Sequence, residues 1–499
     1  MQPSARTRVK RRSHTSGLRS VFSEAQKVNC CAAAREAPLE GVPGKNGLDC
    51  FFAVRGEKLC EADEKPTKKH SNGSYFMKQR PRLGIYIHIP FCASKCGYCD
   101  FYSLAGCDNM MEKYHKALIS HLEESAPGIK NYEVDSVYFG GGTPSYYGAE
   151  RLMELFNVLK LNGNVRLDAE VTVECNPDSV NREDLKLMRQ EGVTRLSMGV
   201  QSSNNDLLKL IGRRHNFRQA QDAFRMAREA GFDNISLDLI YGLPTQTKSD
   251  WAESVGKILE MHPEHISCYG LKLEEGTPMY EEYSGSPVLP DEDMQADMYF
   301  YAAETLARYG YKQYEISNFA ASGFESRHNM KYWTLEDYMG FGPGAASSVG
   351  NLRYTYVKDL KRYIACINRK TSLVEEYETV DALERSVEYV MLGMRTARGI
   401  SENDYRERAQ SNWRAIQKVL VAFEEKGWVE QTGERWHFTV PGYLISNTLI
   451  GILLEAQAAG RVESIPWLDR AGEAERKLSM PKGEDELFAE LYEQTKLEQ

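Results

Sequence analysis

No apolar run in this 499-residue chain approaches the length of a membrane span, so nothing in it reads as an integral membrane segment. Nothing resembles a secretory signal, which makes a reducing compartment the default and the cytoplasm the expected location. In such a compartment the 11 cysteines read as metal ligands and ordinary buried thiols, not as disulfides. Positive charge is in short supply. The net charge is -9 at pH 7, which argues against a broad nucleic-acid footprint, so no nucleic acid is expected among the partners.

Residues 1–76 lack any sustained period of two or of 3.6, and read as disordered. The first 23 residues contain no acid, but carry Arg6, Arg8, Lys10, Arg11, Arg12 and Arg19. Two readings of this extension compete. A basic, serine-containing start suits an organelle transit peptide and hence a mitochondrial matrix. The preferred reading is an over-extended start with Met77 as initiator, because the basic stretch has no clear amphipathic face. Cys30, Cys31, Cys50 and Cys60 have no ligand-like spacing.

What the chain does have is the stretch Pro90 to Cys99, in which Cys92, Cys96 and Cys99 follow the pattern C-x3-C-x2-C directly after an apolar run. A four-iron cluster needs thiolates converging on one small cubane, and short spacings let one loop supply them. Three ligands leave one iron open to a small molecule, as in an open zinc site. The plainer alternatives are a loop that happens to hold three thiols and a zinc loop with a fourth ligand elsewhere.

From Leu83 onward, short apolar runs alternate with helical patterns. Strands are expected over 84–91, 134–139, 170–174, 195–200, 235–241 and 265–271, and helices over 112–124, 150–160, 182–190, 218–230 and 250–260. That alternation argues for a parallel sheet with helices outside it, its strands buried on both faces. Periodicity does not separate an open sheet from a barrel. Further motifs fall at strand ends. The run Gly140 to Pro144 allows close backbone approach to a ligand. Glu174 is either a ribose-hydroxyl acceptor or a solvated strand-end acid. Gln201 ends the fourth strand, and Arg213 follows it. Asp238 lies inside an apolar strand, which is costly unless a ligand or a structural partner meets it.

The three-cysteine pattern with Tyr98 before the last cysteine resembles the radical S-adenosylmethionine (SAM) superfamily, and the sequence Tyr86 to Cys92 narrows the match to its coproporphyrinogen-oxidase-like branch. The resemblance implies a partial, six-unit TIM-like (β/α)6 barrel, with the chemistry at the C-terminal strand ends. It implies a [4Fe-4S] cluster on Cys92, Cys96 and Cys99, with SAM on the open iron. Tyr86, Tyr98, Gly141, Gly142, Thr143, Glu174, Gln201, Arg213 and Asp238 match SAM-contacting positions of that family. An electron donor is implied if SAM is cleaved.

Beyond Leu273 the alternation stops. A long helix is expected over 293–309, strand-like sequence over 311–319, and a small-residue loop over 340–348 that admits a flat ligand or another backbone. His328, Asn329, Tyr332 and Trp333 form the pattern H-N-x-x-Y-W, which is similar to the motif of the HemW-type haem chaperones. That likeness implies haem binding there, with His328 as a candidate axial ligand. Read alone, His328 is a core imidazole or a surface histidine. The last third reads as an α-rich, winged-helix-like module: helices over 383–395 and 412–426, a hairpin over 428–439, then an apolar helix. The expected divisions are 1–76, an extension; 77–290, the barrel core; 291–375, a barrel extension; 376–456, the winged-helix-like domain; and 457–499, a charged tail.

Two functions from different classes fit. Oxygen-independent coproporphyrinogen III oxidases carry a further cysteine two residues after the third, and here that position is Phe101. The Asp100-Phe101 pair matches the haem chaperone branch instead. The expectation is therefore a haem chaperone that passes haem to an apo-acceptor protein. The alternative is an oxidase or another radical enzyme acting on a tetrapyrrole.

Overall fold

The computed structural model describes residues 80–408 and 412–460. The extension over 1–76, the proposed start at Met77 and the tail from 461 onward lie outside the described residues.

Six strands arise where the apolar runs predict them: β1 (Arg82–Ile89), β2 (Glu133–Gly141), β3 (Val165–Cys175), β4 (Arg195–Gln201), β5 (Ile235–Tyr241) and β6 (His265–Gly270). They pair in parallel and in sequence order. Between them run α1 (Met111–Ile129), α2 (Ala149–Asn162), α3 (Arg182–Glu191), α4 (Phe217–Glu229) and α5 (Lys248–Leu259). Local chemistry sets the helix ends. Asn216 with Gln219, and Thr247 with Asp250, close capping boxes on α4 and α5. Gly192 takes the left-handed conformation that stops α3.

The sheet continues on both sides. After α6 (Glu292–Arg308), β7 (Lys312–Glu315) and β8 (Asn318–Ala320) form an antiparallel pair at the β6 edge. After α7 (Arg327–Thr334), β9 (Tyr338–Phe341) pairs in parallel with the other edge of β1. Next come β10 (Ala346–Val349), β11 (Leu352–Tyr356), α8 (Leu360–Arg369) and β12 (Val374–Thr379). The order is β12-β11-β10-β9-β1-β2-β3-β4-β5-β6-β8-β7, so the two ends do not pair and the barrel is partial. The stretch 340–348, expected to be a loop, is mostly strand. The backbone that approaches there is the chain's own: a Cβ on Gly340 would collide with the Ala346 carbonyl.

The C-terminal region runs α9 (Ala382–Gly393), β13 (Ile400–Ser401), α10 (Glu402–Arg408), α11 (Trp413–Glu424), β14 (Val429–Thr432), β15 (Arg435–Phe438) and α12 (Ser446–Ala459). Its three strands form a separate sheet in the order β13-β15-β14, the arrangement of a winged helix. A second apolar cluster, centred on Ile416, Leu420, Phe423, Trp428 and Leu453, fills it. It joins the barrel edge through Ile316 N–H to Arg395 O (3.0 Å) and Ala397 N–H to Tyr314 O (2.9 Å).

Candidate cofactor site

Period-two alternation sends one side chain in two toward the barrel interior. Here those positions are polar. Tyr138, Glu174, Arg195, Ser197, Gly199, Gln201, Asp238, His265, Ser267 and Tyr269 line a single cavity of about 440 Å³. The same cavity is lined by Cys92, Cys96 and Cys99 from the loop after β1, and by Tyr443, Leu444, Ser446 and Asn447 from the C-terminal region.

The cysteine loop is held from several sides. Leu104 N–H donates to Pro90 O (2.7 Å), Gly97 N–H to Ile211 O (3.1 Å), and Met279 N–H to Gly97 O (3.0 Å). Burial lowers the pKa of His88 to about 4, so its ring is neutral. Its Nε2 lies 2.9 Å from the Tyr102 carbonyl and must be the donor. Nδ1 therefore accepts from the Tyr86 hydroxyl at 3.0 Å. Tyr102 in turn accepts the Leu360 N–H through its own hydroxyl at 2.7 Å, tying the loop to α8.

The thiols have only weak partners. Thr143 Oγ1 donates to Cys92 Sγ at 3.4 Å, Arg213 Nη1 to Cys96 Sγ at 3.6 Å, and Ser103 Oγ lies 4.0 Å from Cys99 Sγ. All three cysteines are free. Burial pushes the Cys92 and Cys99 thiols up from the usual range, and a bound metal displaces such protons. Among the described residues no group of three His, Cys, Asp or Glu side chains is set to hold a single metal ion. A cubane spreads its thiolates over separate irons, so it does not need that convergence. The donor set, three thiols on one short loop, fits a cluster. Cys175 lies on the same wall, but its thiol is turned to Val173 O at 3.7 Å.

The remaining sequence-predicted residues gather around this loop. Gly141 N–H donates to Glu174 Oε2 (3.1 Å), and Tyr138 OH donates to Oε1 (2.9 Å). Burial raises the Glu174 carboxyl to about 7 against the pull of those two donors. A Cβ on Gly142 would lie 2.7 Å from Phe91 O, so only glycine fits that crossing. Gln201 has a left-handed φ of 69° at its strand end, a conformation unusual for a non-glycine residue. Arg213 Nη2 is gripped by Gly199 O (2.6 Å) and Asn176 Oδ1 (2.8 Å). Asp238 accepts from Ser267 (2.7 Å), Ser236 (3.0 Å) and Ser197 (3.1 Å). Burial pushes its carboxyl up despite these bonds. Tyr98 lines the main cavity, whereas Tyr86 lines a small adjoining pocket with Phe101 and Tyr332.

The H-N-x-x-Y-W residues divide. On α7, Asn329 and Trp333, four apart, line the cavity. His328 does not: of its readings the core imidazole fits, and its candidacy as an axial ligand is corrected. The ring is 1% exposed, Nδ1 is 2.9 Å from Ser136 Oγ, Nε2 is 2.9 Å from Tyr332 OH, and one face stacks on Tyr138 at 5.2 Å. Burial lowers its pKa to about 3. It is a neutral imidazole in the barrel wall. Asn176, Arg195 and Glu315 were missed. Arg195 sits in register with Ser197, Gly199 and Gln201, so alternation along β4 was the signal that could have found it.

Residues 86–258 match the Radical SAM superfamily, and residues 380–445 match the HemN C-terminal domain. The heme chaperone HemW of Bacillus subtilis is 36% identical over 375 residues, covering 74% of this chain and 98% of the relative. The chain belongs to the HemW family. Members from Lactococcus lactis and Mycobacterium tuberculosis are each 33% identical, covering 75% and 74% of this chain and 97% and 95% of theirs. Coproporphyrinogen III oxidase HemN from Escherichia coli shares the fold. Its TM-score is 0.65 at 23% identity, covering 76% of this chain and 90% of that one. Membership in the superfamily brings its cofactors, a [4Fe-4S] cluster and SAM.

Proposed function

We propose that this chain is a haem chaperone: it binds haem beside a SAM-ligated [4Fe-4S] cluster and passes the haem to an apo-acceptor protein. The observation that carries this reading is the near-complete span of the Bacillus subtilis haem chaperone at 36% identity. Cys92, Cys96 and Cys99 would hold three irons, and SAM would complete the fourth. When bound, the pair supplies one-electron chemistry at the sulfonium, for which an electron donor is needed if SAM is cleaved. The chain's own residues shape the SAM half of the cavity. Gly141 and Gly142 leave room for close approach, and Glu174 and Asp238 offer acceptors. Arg213 balances the Cys96 thiolate, while Thr143, Tyr98, Gln201 and, behind them, Tyr86 complete the wall. Asn329 and Trp333 give the cavity a flat, amphipathic face for a macrocycle. His328 and Tyr332 hold the helix that presents them.

Among the described residues no helix is long and apolar enough to cross a membrane, and the curated relatives named above are bacterial. A cytoplasmic location follows for the proposal, and the mitochondrial alternative gains no support. The fold shared with the oxidase favours a second reading, and Phe101 in place of its further cysteine opposes it.

An anaerobic haem titration of the cluster-loaded protein tests the proposal. Saturation near one haem per chain, weakened about tenfold in Trp333→Ala, is expected. Absence of saturable binding overturns the chaperone reading. Turnover of coproporphyrinogen III with SAM and a reductant would then install the oxidase reading.

A further inference from the structure

Arg195 opens β4 at the end of the barrel away from the cysteine loop. Its side chain is 1% exposed and lines the cavity. Nε and Nη1 are both buried without any hydrogen-bond acceptor. A guanidinium cannot shed its charge at physiological pH, so burial without acceptors is costly.

The acids around it are committed elsewhere. Glu170 accepts the Arg327 N–H (3.0 Å) and the His328 N–H (2.9 Å) at the start of α7. Asp238 accepts three serine hydroxyls on its two oxygens. His265 is engaged on both nitrogens, with Ser236 at 2.8 Å and Tyr314 at 2.7 Å. The floor of the cavity therefore holds a fixed positive fork whose neighbours supply charge nearby but no acceptor in contact. The open space next to it is continuous with the space under the three thiols.

We infer that this floor is a carboxylate subsite headed by Arg195, which takes an acidic side arm of the tetrapyrrole. The inference rests on the haem reading above. A carboxylate matches the guanidinium fork with two parallel N–H···O bonds. At contact distance that attraction exceeds the repulsion from Glu170 and Asp238, neither of which forms an ion pair with Arg195. Ser197 and Ser267 lie on the same wall with their hydroxyls already given to Asp238, so the fork is the donor that a carboxylate would meet there.

The test uses the full, cluster-loaded chain, titrated with haem and with haem dimethyl ester in the same mild detergent. Haem is expected to bind at least tenfold more tightly than its ester. Arg195→Met is expected to weaken haem to the level of the ester and leave the ester unchanged. Arg195→Lys, which keeps a charge but not the fork, is expected to restore part of the preference, and it serves if the Met variant does not fold. Equal binding of haem and ester to the unaltered protein overturns the subsite while leaving the haem reading intact. A preference for haem that survives in Arg195→Met overturns the role of this residue. Failure of both ligands to saturate the unaltered protein overturns the haem reading itself.

Discussion

The cysteine loop and α7 face the same cavity and differ in how far their polar groups are spent. In the loop, three thiols have only long, weak contacts, and a neighbouring guanidinium sits at 3.6 Å from one sulfur. On α7, His328 is bonded at both nitrogens. Lys331 is 2% exposed and lies 2.8 Å from Asp135 and 3.0 Å from Glu336. Ser326 caps the helix by accepting the Asn329 N–H. Both stretches carry a recognisable motif. Uncommitted donors mark a place for a ligand, and committed ones mark a joint. A motif by itself does not say which.

The largest expected contrast comes from Cys96→Ala. Iron and sulfide content and the cluster absorbance should be lost altogether. Compared in their cluster-free forms, this variant and the unaltered protein should differ in unfolding free energy by no more than about 0.5 kcal/mol, because Cys96 sits on a loop outside the apolar core. Normal iron content in that variant removes the cluster assignment. His328→Ala should show the opposite pattern. It removes a buried ring together with its bonds to Ser136 and Tyr332, so denaturant unfolding should show a loss of about 2–4 kcal/mol with the cluster retained. A haem affinity that falls further in His328→Ala than in Trp333→Ala would return His328 to the ligand set.

Glu315, a carboxyl 1% exposed on the cavity wall, should contribute to the pH dependence in the same sense as Glu174 and Asp238. Burial raises Glu315 from 4.5 to about 7, against bonds from Ser317 and Asn318. Its folded pKa lies above its unfolded one, so the unfolded state binds fewer protons between those values. The group therefore costs nothing below about pH 4.5, and destabilises increasingly as pH rises toward 7. The full cost, about 3 kcal/mol above pH 7, should be absent from Glu315→Gln. Parallel stability profiles for the two proteins over that range would refute this account. The smallest effect belongs to Phe101, which is 43% exposed. Phe101→Ser should change stability by about 0.5 kcal/mol or less and leave iron content unchanged. Cluster loss in that variant would mean that this position supports the loop.

The contrast also explains what was legible. Strands β1 to β6 stood out because apolar residues such as Ile85, Val137, Val173, Leu196, Leu237 and Ile266 are buried behind the sheet. The cysteine ligands were legible because a loop must supply them at short spacing. β9 was hidden in a glycine-rich stretch whose strand character comes from pairing with β1 on one side and β10 on the other. His328 kept several readings because a ligand histidine and a wall histidine have the same one-dimensional pattern, and only the contacts to Ser136 and Tyr332 favour the wall. Arg195 escaped notice because a charge at the start of a strand resembles a solvated end, while its neighbours turn it inward.

Glu170 on β3 caps the first two N–H groups of α7, although some 158 residues separate them along the chain. An eight-residue helix has little stability of its own. Its beginning is satisfied only once a strand synthesised long before is already in place. The expected order of folding is the six-unit sheet first and the motif helix late, with φ-values near zero along α7 as the outcome that would bear it out. The α7 side of the cavity is therefore completed only by a chain whose barrel has already formed.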